Sequence, residues 1–254
     1  GGQVSFFTAR DGKAVLQQQL PIPAGAQVTS FNVETPNSRR FVVGLSNGQV
    51  LIAQHDYKVT YPDDVRLITP SLVFPYGQDP ITLDEQGRPL EQVAMSGDSS
   101  GLTLAGSIGR ELVALSVSVK RNMITGEETR SESKLALSPA AGEVKTLLID
   151  PLRQWMYVVN GEQHIDVLAL RQKGELNGRY KVVDGLGKSV TSVNLMLGGI
   201  SLIVGDSSGD LKQWFMVRGN GNPQLTEVRD FDQQLGESIA LIQPEERRKV
   251  FLAV

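Results

Sequence analysis

The sequence predicts an all-β protein, a β-propeller built from four-stranded antiparallel blades. Three observations carry that expectation. Short runs rich in Val, Ile, Leu and Phe alternate with clusters of Gly, Pro, Asn, Asp and Ser, the punctuation of strands and turns. No stretch holds a helical period for three turns, and 26 glycines interrupt the chain. One plan, apolar strand, polar turn, apolar strand, recurs five times: SFNVETPNSRRFVVG, EQVAMSGDSSGLTLAG, KTLLIDPLRQWMYVV, SVNLMLGGISLIVG and SIALIQPEERRKVFLAV.

The first four copies continue into a third strand, LSNGQVLIAQHD, SIGRELVALSVSV, NGEQHIDVLAL and DSSGDLKQWFMV. A more polar fourth follows: LITPSLVFPY, ETRSESKLAL, NGRYKVVD and PQLTEVRDFD. With the end of the second strand marked by Gly44, Gly106, Gly161 and Gly205, the steps are 62, 55 and 44 residues. Units of ~40–50 residues are blade-sized, and the longer steps carry loops such as YKVTYPDDVR. The expected organisation is one WD40/YVTN-like domain over 1–254. Strands three and four of a blade fall at 1–22, whole blades at about 27–83, 90–137, 143–184 and 190–232, and a half-blade at 237–254. The terminal halves either complete one another, giving five blades, or belong to a larger ring. A blade has two apolar faces, so it needs neighbours on both sides.

Composition narrows the chemistry. A formal net charge of −3, with 21% charged residues, lacks the basic excess of a nucleic-acid footprint. Cysteine is absent, so disulfides, thiolate catalysis and Cys-ligated metals are not available to these residues. GGQVSFFTARDG does not read as a signal peptide, and the longest apolar stretch, VNLMLGGISLIVG, is 13 residues against the ~20 that a spanning helix needs. The chain as given reads as soluble.

The string GDSSG occurs at Gly97–Gly101 and again at Gly205–Gly209, with GLSNG at Gly44–Gly48. G-x-S-x-G can present a nucleophile, but only on a strand–turn–helix elbow with a histidine in reach. Every copy here runs strand–turn–strand, so Ser99 and Ser207 are expected in exposed hairpin turns. His55 and His164, the two histidines, fall at non-matching positions of different blades. Asp63–Asp64 and Asp230–Asp232 lack the ligand series of a calcium loop and read as solvated charges. Arg39–Arg40 and Arg247–Arg248 sit in equivalent first-to-second-strand turns beside acids and read as solubilising. Trp155 and Trp214 read as packing between blades. No phosphate-cradling loop is present, and no catalytic, metal or cofactor residue is assigned.

Taken together, SRRFVVGLSNGQVLIAQHDYKVTYPD, LIDPLRQWMYVVNG, LNGRYKVVD, GGISLIVGDSSGDLKQWFMVR and EERRKVFLAV resemble a soluble insertion domain of long permease subunits in phosphate-type ABC transporters of Gram-negative bacteria. The likeness runs over nearly the whole chain and is structural, without a catalytic signature. It implies a propeller that follows a first transmembrane helix, an inner-membrane protein with this part in the periplasm, and no cofactor. It further implies a non-catalytic role in docking or regulation, with the phosphate substrate-binding protein or another transporter subunit as partner and no nucleic acid.

Two other readings stay open. A lactonase- or hydrolase-like enzyme would line the channel with ligands from several inner strands, where Asn32, Glu34, Glu91 and Asn194 stand scattered in register. A phosphate or anion sensor would use rim arginines and backbone amides. For docking, the candidate contact is the loop HDYKVTYPDDVRLITPSLVFPYGQDP, with Tyr57, Tyr61, Phe74 and Tyr76.

Overall fold

The structure is a computed structural model that describes residues 3–10, 12–35, 39–231, 236–245 and 250–254. Its strands form six antiparallel sheets in chain order. A two-stranded sheet, β1 (Ser5–Arg10) and β2 (Lys13–Gln19), comes first. Blade one follows: β3 (Val28–Val33), β4 (Arg40–Leu45), β5 (Gln49–Thr60) and β6 (Leu67–Val73), with a short β7 (Ile81–Thr82) added beside β5. Blade two comprises β8 (Gln92–Asp98), β9 (Gly101–Ile108), β10 (Glu111–Arg121) and β11 (Glu128–Ala136). Blade three holds β12 (Thr146–Ile149), β13 (Trp155–Val159), β14 (His164–Ala169) and β15 (Glu175–Lys181). Blade four holds β16 (Val190–Met196), β17 (Ser201–Asp206), β18 (Leu211–Val217) and β19 (Gln224–Asp230). The pair β20 (Ile242–Glu245) and β21 (Val250–Ala253) closes the order. The expected β-propeller of four-stranded blades is what the chain forms. Among the described residues, β1–β2 and β20–β21 stand as separate sheets.

The burial pattern shows why the sheets stack. The second strands β9 and β17 are buried almost throughout, because both of their faces meet a neighbouring sheet. Successive side chains of one strand therefore serve two different cores. Val42, Val50 and Ile52 of blade one point into a cluster with Leu90, Val93 and Leu104 of blade two. Their neighbours Val43, Leu51 and Ala53 point the other way, against Leu20 and the flank of β1–β2. Similar clusters join blade two to three, three to four, and four to β20–β21, where Ile203 and Leu211 meet Ile239 and Ile242. Trp214 lies in the cluster between blades three and four with Trp155 packed against that cluster, as expected for tryptophans between blades.

The recurring glycines have a packing cause. A Cβ on Gly205 would come within 2.7 Å of the Ile239 side chain of the next sheet. One on Gly44 would meet Ser30 Oγ at 2.2 Å and Val93 Cγ1 at 2.8 Å. Only a bare backbone lets the following sheet approach so closely. Gly161 does not share this place. It lies in the turn beyond β13 with φ +72, two positions past Val159, which takes the equivalent place in the ladder of blade three.

Strand alternation defines two faces. The turns between first and second strands, and between third and fourth, all emerge on one side, here called the hairpin face. The second-to-third turns and the crossings between blades lie on the other.

Candidate functional site

The GDSSG turns are built alike. In the first, Asp98 Oδ1 accepts from the Ser100 amide and hydroxyl, both at 2.7 Å. In the second, Asp206 Oδ1 accepts from the Ser208 amide and hydroxyl at 2.8 Å each and from the Asp210 amide at 3.0 Å. Both are aspartate-closed turns, one joining β8 to β9 and the other β17 to β18. The Asp98 carboxyl is held low, to about 2: burial opposes ionisation but is outweighed by the bonds from Ser100 and Arg153. Ser99 is exposed; Ser207 is half-buried, not fully exposed, and its Oγ accepts from the Ser189 amide at 3.1 Å. The histidines lie in other blades. His55 is on β5 with its ring 5.3 Å from Phe6, and His164 opens β14.

The central channel is a cavity of about 490 Å³ bounded by the first strands of all four blades and by β20. Asn32, Glu34 and Asn194 line it, as do Thr35, Gln92 and Thr146; Glu91 is exposed elsewhere. Asn32 and Asn194 prove to be register-equivalent rather than scattered. Asn32 faces Val42 two places from the Ser30–Gly44 pair, and Asn194 faces Ile203 two places from the Ser192–Gly205 pair. Each amide reaches forward to other sheets. Asn32 Nδ2 donates to Val93 O at 2.8 Å and to Leu147 O at 3.1 Å, and Asn194 Nδ2 to Ile242 O at 2.9 Å. Thr35 Oγ1 donates to Asn194 Oδ1 at 3.2 Å, linking blades one and four. These donors clasp the ring. Among the described residues, no three His, Asp or Glu side chains gather where they could hold a metal ion.

Arg40 overturns its reading as a solubilising turn residue. Its guanidinium donates to Glu34 Oε2 at 2.5 Å, to the Tyr76 hydroxyl at 3.0 Å and to Gly97 O at 2.5 Å. Glu34, only 3% exposed, also accepts from the Gly97 amide at 2.7 Å. Burial raises the Glu34 carboxyl above its ordinary value although Arg40 works against the shift, and burial raises the Tyr76 phenol likewise. The network ties the β3–β4 turn to the GDSSG turn of blade two. Arg39 stays outside, stacked 5.6 Å from the Tyr57 ring. Arg247, Arg248 and Asp232 lie outside the described residues. Asp63 and Asp64 are exposed in a single 3-10 turn, both with positive φ.

The four aromatic residues of the long first-blade loop divide into two pairs. Phe74 packs on the blade-one core, and Tyr76 packs between blades one and two under the Arg40 bond. Tyr57 (45% exposed) and Tyr61 (65%) face solvent. Residues 55–60 of β5 continue past the end of β4 and pair only with β6, so they form a projecting hairpin. Val65, Leu67 and Ile68 are exposed on it as well. The β10–β11 hairpin also outruns β9, and Met123 (93%) and Ile124 (95%) form its tip. Both arms rise from the hairpin face. Strand propensity does not reveal the second, because Met-Ile in RNMITGEE reads as an ordinary turn neighbour; the signal was the excess length of its two strands.

No protein-family model and no curated protein matches the chain. Among solved structures, it is similar to the Dos1 propeller at 10% identity and a TM-score of 0.57, covering 98% of this chain and 58% of that one. It is also similar to the β-propeller domain of Cps50 (Swd1) from Myceliophteria thermophila, at 12% identity and a TM-score of 0.50, covering 90% of this chain and 66% of that one. The chain thus spans less than two thirds of either relative. At such identities the likeness concerns the fold: a propeller.

Proposed function

We propose that the chain is a non-catalytic propeller scaffold that docks a protein partner on its hairpin face. One observation carries the reading: the β5–β6 hairpin leaves its blade and presents Tyr57, Tyr61, Val65, Leu67 and Ile68 to solvent. Aromatic residues that project from a rigid frame suit a binding hot spot, because few rotamers must be frozen on contact. The aspartate-closed GDSSG turns, and serines in other blades than the histidines, fit a frame better than a hydrolase. The finer identity rests on the sequence resemblance: the periplasmic module of a phosphate-type ABC permease, engaging the phosphate substrate-binding protein or a neighbouring subunit during uptake.

The test is a calorimetric titration of this domain with the phosphate-binding protein of the same transport system, both loaded and empty. Association is expected, and Tyr57→Ala with Tyr61→Ala should weaken it by ~1 kcal/mol or more. No association of the unaltered domain with either form would overturn the docking of that partner.

A further inference from the structure

The hairpin face holds a second feature, made by blades two to four. Between blades three and four lies a cleft of about 330 Å³ lined by Gln154, Trp155, Arg171, Arg218 and Pro223. Its elements are three turns of this one face: β12–β13 gives Gln154 and Trp155, β14–β15 gives Arg171, and β18–β19 gives Arg218 and Pro223. Asn177 Nδ2 donates to Pro223 O at 2.9 Å and thereby fixes the glycine-bearing β18–β19 turn to blade three. A neighbouring cleft of about 240 Å³, between blades two and three, shares Arg171 and adds Arg153 and Leu152. The two form one track with Arg171 at its middle.

The charge along this track is one-sided. Neither cleft has a carboxylate in its lining. Arg153 is neutralised by Asp98 at 2.9 Å. Among the described residues neither Arg171 nor Arg218 is within ion-pair distance of a carboxylate, although Arg171 donates to the Leu152 carbonyl at 3.1 Å and feels the charge of the buried Asp150 beneath the β12–β13 turn. Both arginines are exposed, and the half-buried Trp155 indole lines the same cleft as a rigid apolar wall. Trp and Arg are the residues most enriched among binding hot spots, and a guanidinium fork pairs with carboxylate in two-point fashion.

We infer that this track binds an extended acidic segment of a partner protein, its carboxylates on Arg171 and Arg218 and an apolar side chain against Trp155. The inference rests on the proposed docking role of the hairpin face and supplies the chemistry of the partner. Length favours a peptide, since two joined clefts exceed what one small anion would fill.

The experiment uses the intact domain and a short peptide of glutamate interspersed with leucine, followed by calorimetry and by tryptophan fluorescence. Trp155, half-buried at the cleft, is the reporter, since Trp214, the other tryptophan, is buried. Binding is expected to weaken with added salt, and the glutamine-for-glutamate peptide should bind about tenfold more weakly. Arg171→Gln and Arg218→Gln should each weaken the acidic peptide by about tenfold, with circular dichroism unchanged. Equal binding of the neutral peptide, or indifference to both substitutions, would overturn the inference. So would inorganic phosphate that binds the domain, is lost in both variants and leaves the peptide without effect, for the track would then be a small-anion site. Should the transporter's binding protein associate normally with both arginine variants, the docking role stands and only this inference falls.

Discussion

The guanidinium of Arg40 holds the buried carboxylate of Glu34 at 2.5 Å, and with Tyr76 and Gly97 it joins blade one to blade two. A buried ion pair offers little net gain over an apolar contact, but removing one partner strands the other charge. Arg40→Ala should therefore cost about 3 kcal/mol or more, and Tyr76→Phe about 1 kcal/mol, because that change deletes one acceptor of a charged donor. Urea unfolding monitored by circular dichroism gives both values. An Arg40→Ala variant as stable as the unaltered domain would show that the pair is dispensable.

The same pair predicts a pH dependence. The Glu34 carboxyl titrates above its ordinary value of 4.5 because burial disfavours its charge. The folded state therefore holds this proton more tightly than the unfolded chain does. Its contribution to stability is full below the ordinary carboxylate range and is lost as pH rises through the folded-state value. Glu34→Gln should remove that decline. The difference in unfolding free energy between the two proteins, followed upward from pH 4.5, should shift in favour of the glutamine form. A shift in the opposite direction would mean that Arg40 dominates over burial.

Much of this architecture is legible in the sequence because it rests on local rules. Period-two burial, turn residues and glycine at close approaches repeat in each blade, so stacking the segments exposes them. The Asn32 and Asn194 relationship was also present, but only pairing with Gly44 and Gly205 reveals it, since bulges at the start of β3 and β16 shift the count. Arg40 could not be read correctly. Its partners Tyr76 and Gly97 are 36 and 57 residues away, and an Arg-Arg pair beside acids looks the same whether solvated or buried. The Trp155 track fails for a similar reason, as its residues come from separate turns and strands of three blades.

The glycine positions make a direct packing test. Gly205→Ala drives a methyl into Ile239 and should cost about 1–3 kcal/mol as overpacking. Gly219→Ala meets nothing within 4 Å and has no positive φ, so it should stay within about 0.5 kcal/mol of the unaltered domain. Thermal unfolding of the two variants side by side is sufficient. Equal stability would mean that blade four and β20–β21 can separate without loss.

The asparagine clasp allows a sharper contrast, because shape can be kept while donor capacity is removed. Asn32 Nδ2 donates to two backbone carbonyls on two other blades, a bond pair that Asp cannot make. Asn32→Ala loses those bonds and leaves Val93 O and Leu147 O to water from the channel, at about 1–2 kcal/mol. Asn32→Asp is nearly isosteric but sets a carboxylate oxygen against the same two carbonyls, so it must turn away, take up a proton or be repelled. It should therefore be the more destabilising of the two at neutral pH, and the gap should narrow as acid protonates the new carboxyl and restores one donor. Chemical unfolding of both variants at neutral and acid pH measures this ordering. If Asn32→Asp were the milder change at neutral pH, the inward amide would be serving shape alone, and the cohesion of blades one to three would have to come from their apolar clusters.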